Sequence, residues 1–128
     1  MAIEPNEWFK QAEYDMKTAE AMFKARRYIY VVFMCHLSLE KALKGLYIKK
    51  FSSLPPKVHN LLYLIEKIGI TLPEDLFEMV FEINRASIPT RYPEDLKQIQ
   101  KDYRKQKVEK LLTKSKEALK WLKVELPK

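Results

Sequence analysis

Glycine is almost missing from this chain, which has only Gly45 and Gly69. A phosphate-cradling loop needs glycines at several closely spaced positions, so a P-loop and a dinucleotide fingerprint are both excluded. Cysteine occurs once, at Cys35, which rules out an internal disulfide and points to a reducing compartment. The apolar flanks of that residue, VVFMCHLSLEKAL, mark a core thiol rather than a nucleophile. His36 and His59 are the only histidines. With one cysteine they are too few for a closed zinc site unless carboxylates join them, so no metal and no cofactor are expected. No stretch reaches the roughly 18 apolar residues of a membrane span. The opening MAIEPNEW is too short and too acidic for a signal peptide. The expectation is a cytoplasmic protein without membrane contact.

What is present reads as helix. The 128 residues are 47% hydrophobic and 32% charged, the balance and size of one globular domain spanning 1–128. Lysine and glutamate dominate the polar positions, and no Val/Thr alternation suggests a strand. The net charge of +7 leaves two readings open. One is an anionic partner such as RNA, a nucleotide or an acidic protein face; the other is a helix surface solvated by lysines.

Apolar spacing predicts four long helices. The first covers about 6–25, with Trp8, Ala12, Met16, Ala19 and Phe23 on one face. The second covers about 27–50, where Tyr28, Val32, Cys35, Leu39, Ala42 and Leu46 form a packing seam. After the break FSSLPP, a short helix within 57–69 turns Val58, Leu61, Leu62, Ile65 and Ile68 inward and stops at Gly69. The next begins near Thr71, carries Leu76, Phe77, Val80 and Ile83, and is expected to stop at Ile88-Pro89. The last covers about 104–125. Short links make neighbours antiparallel, so the fold class is all-α, an up-and-down bundle of four to five helices. The stretch from Ile88 to Tyr103 is the anomaly. It is far longer than the usual link of about 4–6 residues, although a helical turn after Pro93-Glu94-Asp95 would shorten it.

Several polar residues sit close to the predicted core. Asp15 lies at the edge of the first apolar face and calls for a basic partner, most simply Lys41 or Lys44. Glu40 and Lys44 are spaced for an ion pair on the second helix, with His36 one turn earlier. Lys41, Lys44, Lys49 and Lys50 form, alternatively, an anion-binding face. His59 suits a cap, a packing contact or acid–base work. In NRASIPTRYPED, residues 84–95, Asn84 and Arg85 end a helix and Arg91-Tyr92-Pro93 follow. Arginine forks grip phosphate and a tyrosine ring stacks on a base. Equally, Arg91 pairs with Glu94 or Asp95 while Tyr92 packs on the bundle.

Four segments together resemble the HEPN domain family (higher eukaryotes and prokaryotes nucleotide-binding). They are AEYDMKTAEAMF, with Ala12, Asp15, Met16 and Ala19; CHLSLEKALKGLYI, with Glu40 through Lys44; PPKVHNLLYL, with His59, Asn60 and Leu61; and TRYPED. The resemblance implies a helical bundle, often a homodimer, paired with a minimal nucleotidyltransferase in a toxin–antitoxin-like module. It makes Arg85, Arg91, Tyr92, Lys41 and Lys44 the candidate nucleotide- or RNA-binding residues, with Asp15, Glu40 and Asn84 structural. Many relatives cut RNA with an arginine followed four to six residues later by histidine. Here Thr90, Arg91 and Tyr92 stand where that histidine falls after Arg85. Guanidinium is no general base near neutral pH. A binding subunit therefore comes first; a metal-independent ribonuclease using Arg85, Arg91, Tyr92 or His59, and a purely structural bundle, are the alternatives.

Overall fold

The computed structural model describes residues 4–125, so the outermost residues of the expected 1–128 span lie outside it. The helices are α1 (Pro5–Lys24), α2 (Tyr28–Phe51), α3 (Leu61–Ile68), α4 (Glu74–Arg91), α5 (Leu96–Asp102) and α6 (Lys105–Glu125). No strand occurs among the described residues. Helix α2 touches all five others, and it packs with α6 between the flanking α1 and α4.

That central place follows from composition. Val31, Val32, Cys35, Leu39, Ala42, Leu43 and Leu46 are all buried, so apolar residues cover most of α2's circumference. Small residues bring α1 and α2 close. Ser38 Oγ donates to the Ala12 carbonyl at 2.6 Å, while Ala12, Ala19 and Ala42 are fully enclosed. Gly45 completes the seam, since a Cβ there would sit 3.0 Å from Trp8 Cβ and 3.2 Å from the Pro5 carbonyl oxygen. Cys35 is fully buried, and desolvation pushes its thiol up to about 12, leaving it un-ionised at neutral pH.

Local chemistry sets the helix ends. Pro5 opens α1, where its missing N–H is no loss. Asn60 caps α3 by accepting from the Leu62 and Tyr63 amides, and Gly69 closes it at φ 82°. Asp95 caps α5 through the Gln98 amide.

Two expectations change. The fourth helix does not stop at Ile88-Pro89 but runs through Pro89 to Arg91. Burial of Ala86 and Thr90 holds that turn against the bundle, and Thr90 Oγ1 donates to the Ala86 carbonyl at 2.8 Å. Packing there outweighs the lost backbone hydrogen bond. Of the two readings left open for the stretch from Ile88 to Tyr103, the helical one holds, since α5 follows Asp95 and, with the end of α4, occupies most of it. The inward faces shift in detail: Phe9 is buried and Trp8 only half so, Leu64 is more enclosed than Leu62, and Met79 rather than Phe77 enters the core.

Each fully buried Leu or Val contributes about 1.5–3 kcal/mol, against at most about 1 kcal/mol for an exposed ion pair. The pairs joining α6 to its neighbours, such as Lys114–Asp75 at 2.6 Å and Lys123–Glu13 at 3.1 Å, therefore orient helices that the core already holds. Gly45→Val is expected to lower stability by about 1–3 kcal/mol through overpacking of the α1–α2 seam. Urea denaturation followed by circular dichroism checks this; an unchanged midpoint would contradict it.

Candidate functional site

One side of α2 carries polar residues into the bundle. Phe33, His36, Glu40 and Lys44 recur at three or four residues, so they share a face directed at the segment entering α3 and at the end of α4. Glu40 is its centre. Its carboxylate is buried, and Lys44 Nζ lies 2.9 Å from Oε2. His59 reaches in from the segment before α3, with Nδ1 2.9 Å from Oε2 and 3.1 Å from Oε1. A carboxylate can only accept, so His59 Nδ1 carries the proton and donates, which leaves Nε2 as the ring's available acceptor in the neutral form.

His36 lies behind this pair with Nδ1 3.7 Å from Glu40 Oε1, beyond hydrogen-bond reach. Neither of its ring nitrogens has a hydrogen-bond partner among the described residues. Burial pulls its pKa down to about 4; the Glu40 carboxylate and the His59 backbone, which approaches the ring without the geometry of a full hydrogen bond, oppose this, while the nearby charges of Arg91 and His59 add to it. His36 is thus a neutral ring at pH 7.

Arg91 arrives from the last residue of α4. Its guanidinium carbon stands 4.5 Å from the centre of the Phe33 ring, a cation–π stack. The side chain is half-buried, its Nε is enclosed with no acceptor, and no carboxylate pairs with it among the described residues. The expected pairing with Glu94 or Asp95 does not form. Tyr92 does not pack on the bundle either; it is 75% exposed.

Comparison with known proteins adds the family. The HEPN domain family matches residues 5–125, nearly the whole chain. The chain belongs to the HEPN domain family. Two solved structures share the fold. TT1696 from Thermus thermophilus is 24% identical at a TM-score of 0.81, covering 95% of this chain and 98% of that one. ST0689, an archaeal HEPN homologue, is 22% identical at a TM-score of 0.78, covering 98% and 100%. No curated protein matches the chain.

The HEPN bundle gathers only part of the expected set. Lys44, Glu40 and His59 form one cluster on the polar face of α2, while Arg91 lies farther toward the start of that helix on Phe33. Lys41 turns to α1, where Nζ lies 2.9 Å from Asp15 Oδ2, an ion pair without the angle of a well-formed hydrogen bond. That is the basic partner Asp15 required. Arg85 is directed elsewhere too. It pairs with Glu82 at 2.8 Å, where Tyr103 Oη donates to the other carboxylate oxygen at 3.1 Å. Burial would raise the pKa of Glu82, but the Tyr103 hydroxyl, Lys107 and Arg85 together hold it below the usual range. Adjacent residues on a helix point about 100° apart, so Asn84 and Arg85 face different neighbours. Asn84 Oδ1 accepts from the Leu61 amide at 2.8 Å and its Nδ2 donates to Asn60 Oδ1, which locks the start of α3 onto α4.

Phe33 escapes a reading of motifs because a phenylalanine on an apolar helix announces only core. The usable signal is its spacing from His36 and Glu40. The low pKa of His36 sets a pH window. Below about 6.5 the unfolded chain takes up a proton that folded His36 refuses until about pH 4. Stability should therefore fall across that window by up to about 1.4 kcal/mol per pH unit from this group. His36→Leu should lose that share of the slope in urea denaturation at stepped pH. Equal slopes for both proteins would contradict it.

Proposed function

We propose that this HEPN protein is a nucleotide- or RNA-binding subunit that works beside a minimal nucleotidyltransferase in a toxin–antitoxin-like pair. The observation that carries the binding half is Arg91, a half-buried cation on an aromatic ring with no acid to neutralise it among the described residues. A desolvated charge without a partner is costly, and a phosphate group supplies two acceptors matched to the guanidinium fork. The exposed edge of His59 lies on the same side of α2, where Lys44 is buried and engaged by Glu40, and Tyr92 offers a free ring next in the chain. Family membership and the basic charge of +7 support the pairing with a nucleotidyltransferase.

A homodimer belongs to the same proposal. Phe77, Phe81 and Ile88 form an exposed apolar stripe along α4, at helical spacing. A second copy lying on that stripe would cover it and bring two Arg91 sites toward one substrate. Phe81→Asp should then convert a dimer to a monomer in light scattering. A wild-type chain that runs as a monomer would refute this part.

The ribonuclease reading has one observation in its favour, the His59–Glu40 pair, which has the form of a general base held by a carboxylate. RNA incubated with pure protein in EDTA, beside His59→Ala, Arg85→Ala and Arg91→Ala, decides it. Cleavage that survives all three is contamination.

Fluorescence anisotropy with a short single-stranded RNA tests the binding proposal. Arg91→Ala should weaken the Kd about tenfold, the loss of one charge-assisted contact. It should also reduce the salt slope by about 0.7, the share of one phosphate on a single strand. Binding as tight as wild type, or no binding by wild type at low salt, would overturn the proposal.

A further inference from the structure

A second group of cations and rings lies at the turn between α1 and α2, one turn of helix before Phe33. A cleft of about 380 Å³ opens there, lined by Arg26, Arg27, Tyr28, Tyr30, Gln100 and Tyr103, with Ile29 and Leu96 as its apolar floor. None of its lining residues is acidic. Some basic side chains elsewhere do meet acids: Arg85 meets Glu82, Lys116 meets Glu20 and Lys123 meets Glu13. Arg26 and Arg27 enter no ion pair among the described residues.

The backbone at this turn points the same way. Arg26 takes φ 62°, the left-handed conformation in which a helix usually ends on glycine. The Arg26 amide donates to the Phe23 carbonyl and the Arg27 amide to the Met22 carbonyl, at 3.0 and 2.8 Å. Those bonds need no side chain. Glycine adopts this conformation at lower cost, so arginine stands here against backbone preference, as Ser52 does at the end of α2. Helix α2 also begins at this point with no side-chain cap, which adds the positive end of its dipole to the two guanidinium groups.

We infer that this cleft binds a nucleoside phosphate, with the phosphate between Arg26 and Arg27 and the base on the half-exposed Tyr30 ring. Two planar forks suit the several oxygens of one phosphate, and a tyrosine face accepts any base. The volume suits one nucleotide unit. Tyr103 serves as a wall, since its hydroxyl is already given to Glu82. The inference rests on the nucleotide- or RNA-binding reading and adds to it a second contact point. Tyr30 and Phe33 are three residues apart, so the cleft and the Arg91 stack lie along one side of α2. A single RNA strand can touch both, whereas a free nucleotide fills only one.

The test uses the full chain with Arg26→Gly/Arg27→Gln, Tyr30→Ala and Tyr30→Phe, each titrated with a 5′-phosphorylated eight-nucleotide RNA and with AMP. The double variant should weaken RNA binding about tenfold or more while its Tm stays level or rises, because glycine relieves the strained turn. Tyr30→Ala should weaken it about fivefold or more, with Tyr30→Phe near wild type. AMP binding that falls in parallel assigns the cleft to a free nucleotide as well. RNA bound by wild type and by the double variant alike would overturn the cleft and leave the Arg91 reading standing. Sensitivity here with none at Arg91→Ala would keep the cleft and overturn the other. No binding of RNA or AMP by wild type overturns both.

Discussion

A buried carboxylate on the central helix governs how this end of the bundle is arranged. Burying a carboxylate without partners is costly, and Glu40 meets Lys44 from the next turn of α2 and His59 from the segment leading into α3. Such pairs rarely add net stability over an apolar core of equal volume, yet losing one member leaves a stranded charge. Their consequence is positional. The His59 contact fixes where the chain enters α3, the Asn60 and Asn84 side chains bind that entry to α4, and α4 then delivers Arg91 above Phe33.

The same packing divides the cations into two populations. Lys114, Lys116 and Lys123 of α6 sit opposite carboxylates of neighbouring helices and Arg85 pairs with Glu82 on its own helix, contacts that contribute little energy and mainly settle how the surface side chains lie. Arg26 and Arg27, in the turn before α2, and Arg91, at the end of α4, pair with no acid among the described residues and stand by aromatic rings. A net charge of +7 thus says less than its distribution. Arg26, Arg27 and Arg91 lie unpaired toward the start of α2, and a polyanion is steered by such a cluster.

Much of the bundle was legible in the chain. The seam through Val32, Cys35, Leu39, Ala42 and Leu46 is governed by helical period alone, and each of those residues is buried. The Asp15–Lys41 and Glu40–Lys44 pairs follow because a carboxylate near a core needs a cation. What failed was local punctuation overridden by tertiary packing. Pro89 reads as a stop, yet burial of Ala86 and Thr90 carries the helix two residues past it. The candidate site was half legible for a related reason. Arg85 and Arg91 look equivalent on paper, but six helical residues rotate one from the other by about 240°, toward Glu82 in one case and Phe33 in the other. No spacing rule reveals that Arg26, in a plain turn, adopts a glycine conformation.

The central claim is that the Glu40-organised face, and not the Arg85 side of α4, receives a phosphate. Side-chain NMR tests it most directly: a nitrogen-15-labelled chain titrated with a nucleoside 5′-monophosphate, observing the Arg Nε–H and His ring signals. The account predicts that Arg91 and His59 shift together in a saturable way while Arg85 stays fixed. Movement of Arg85 with Arg91 and His59 silent would contradict it.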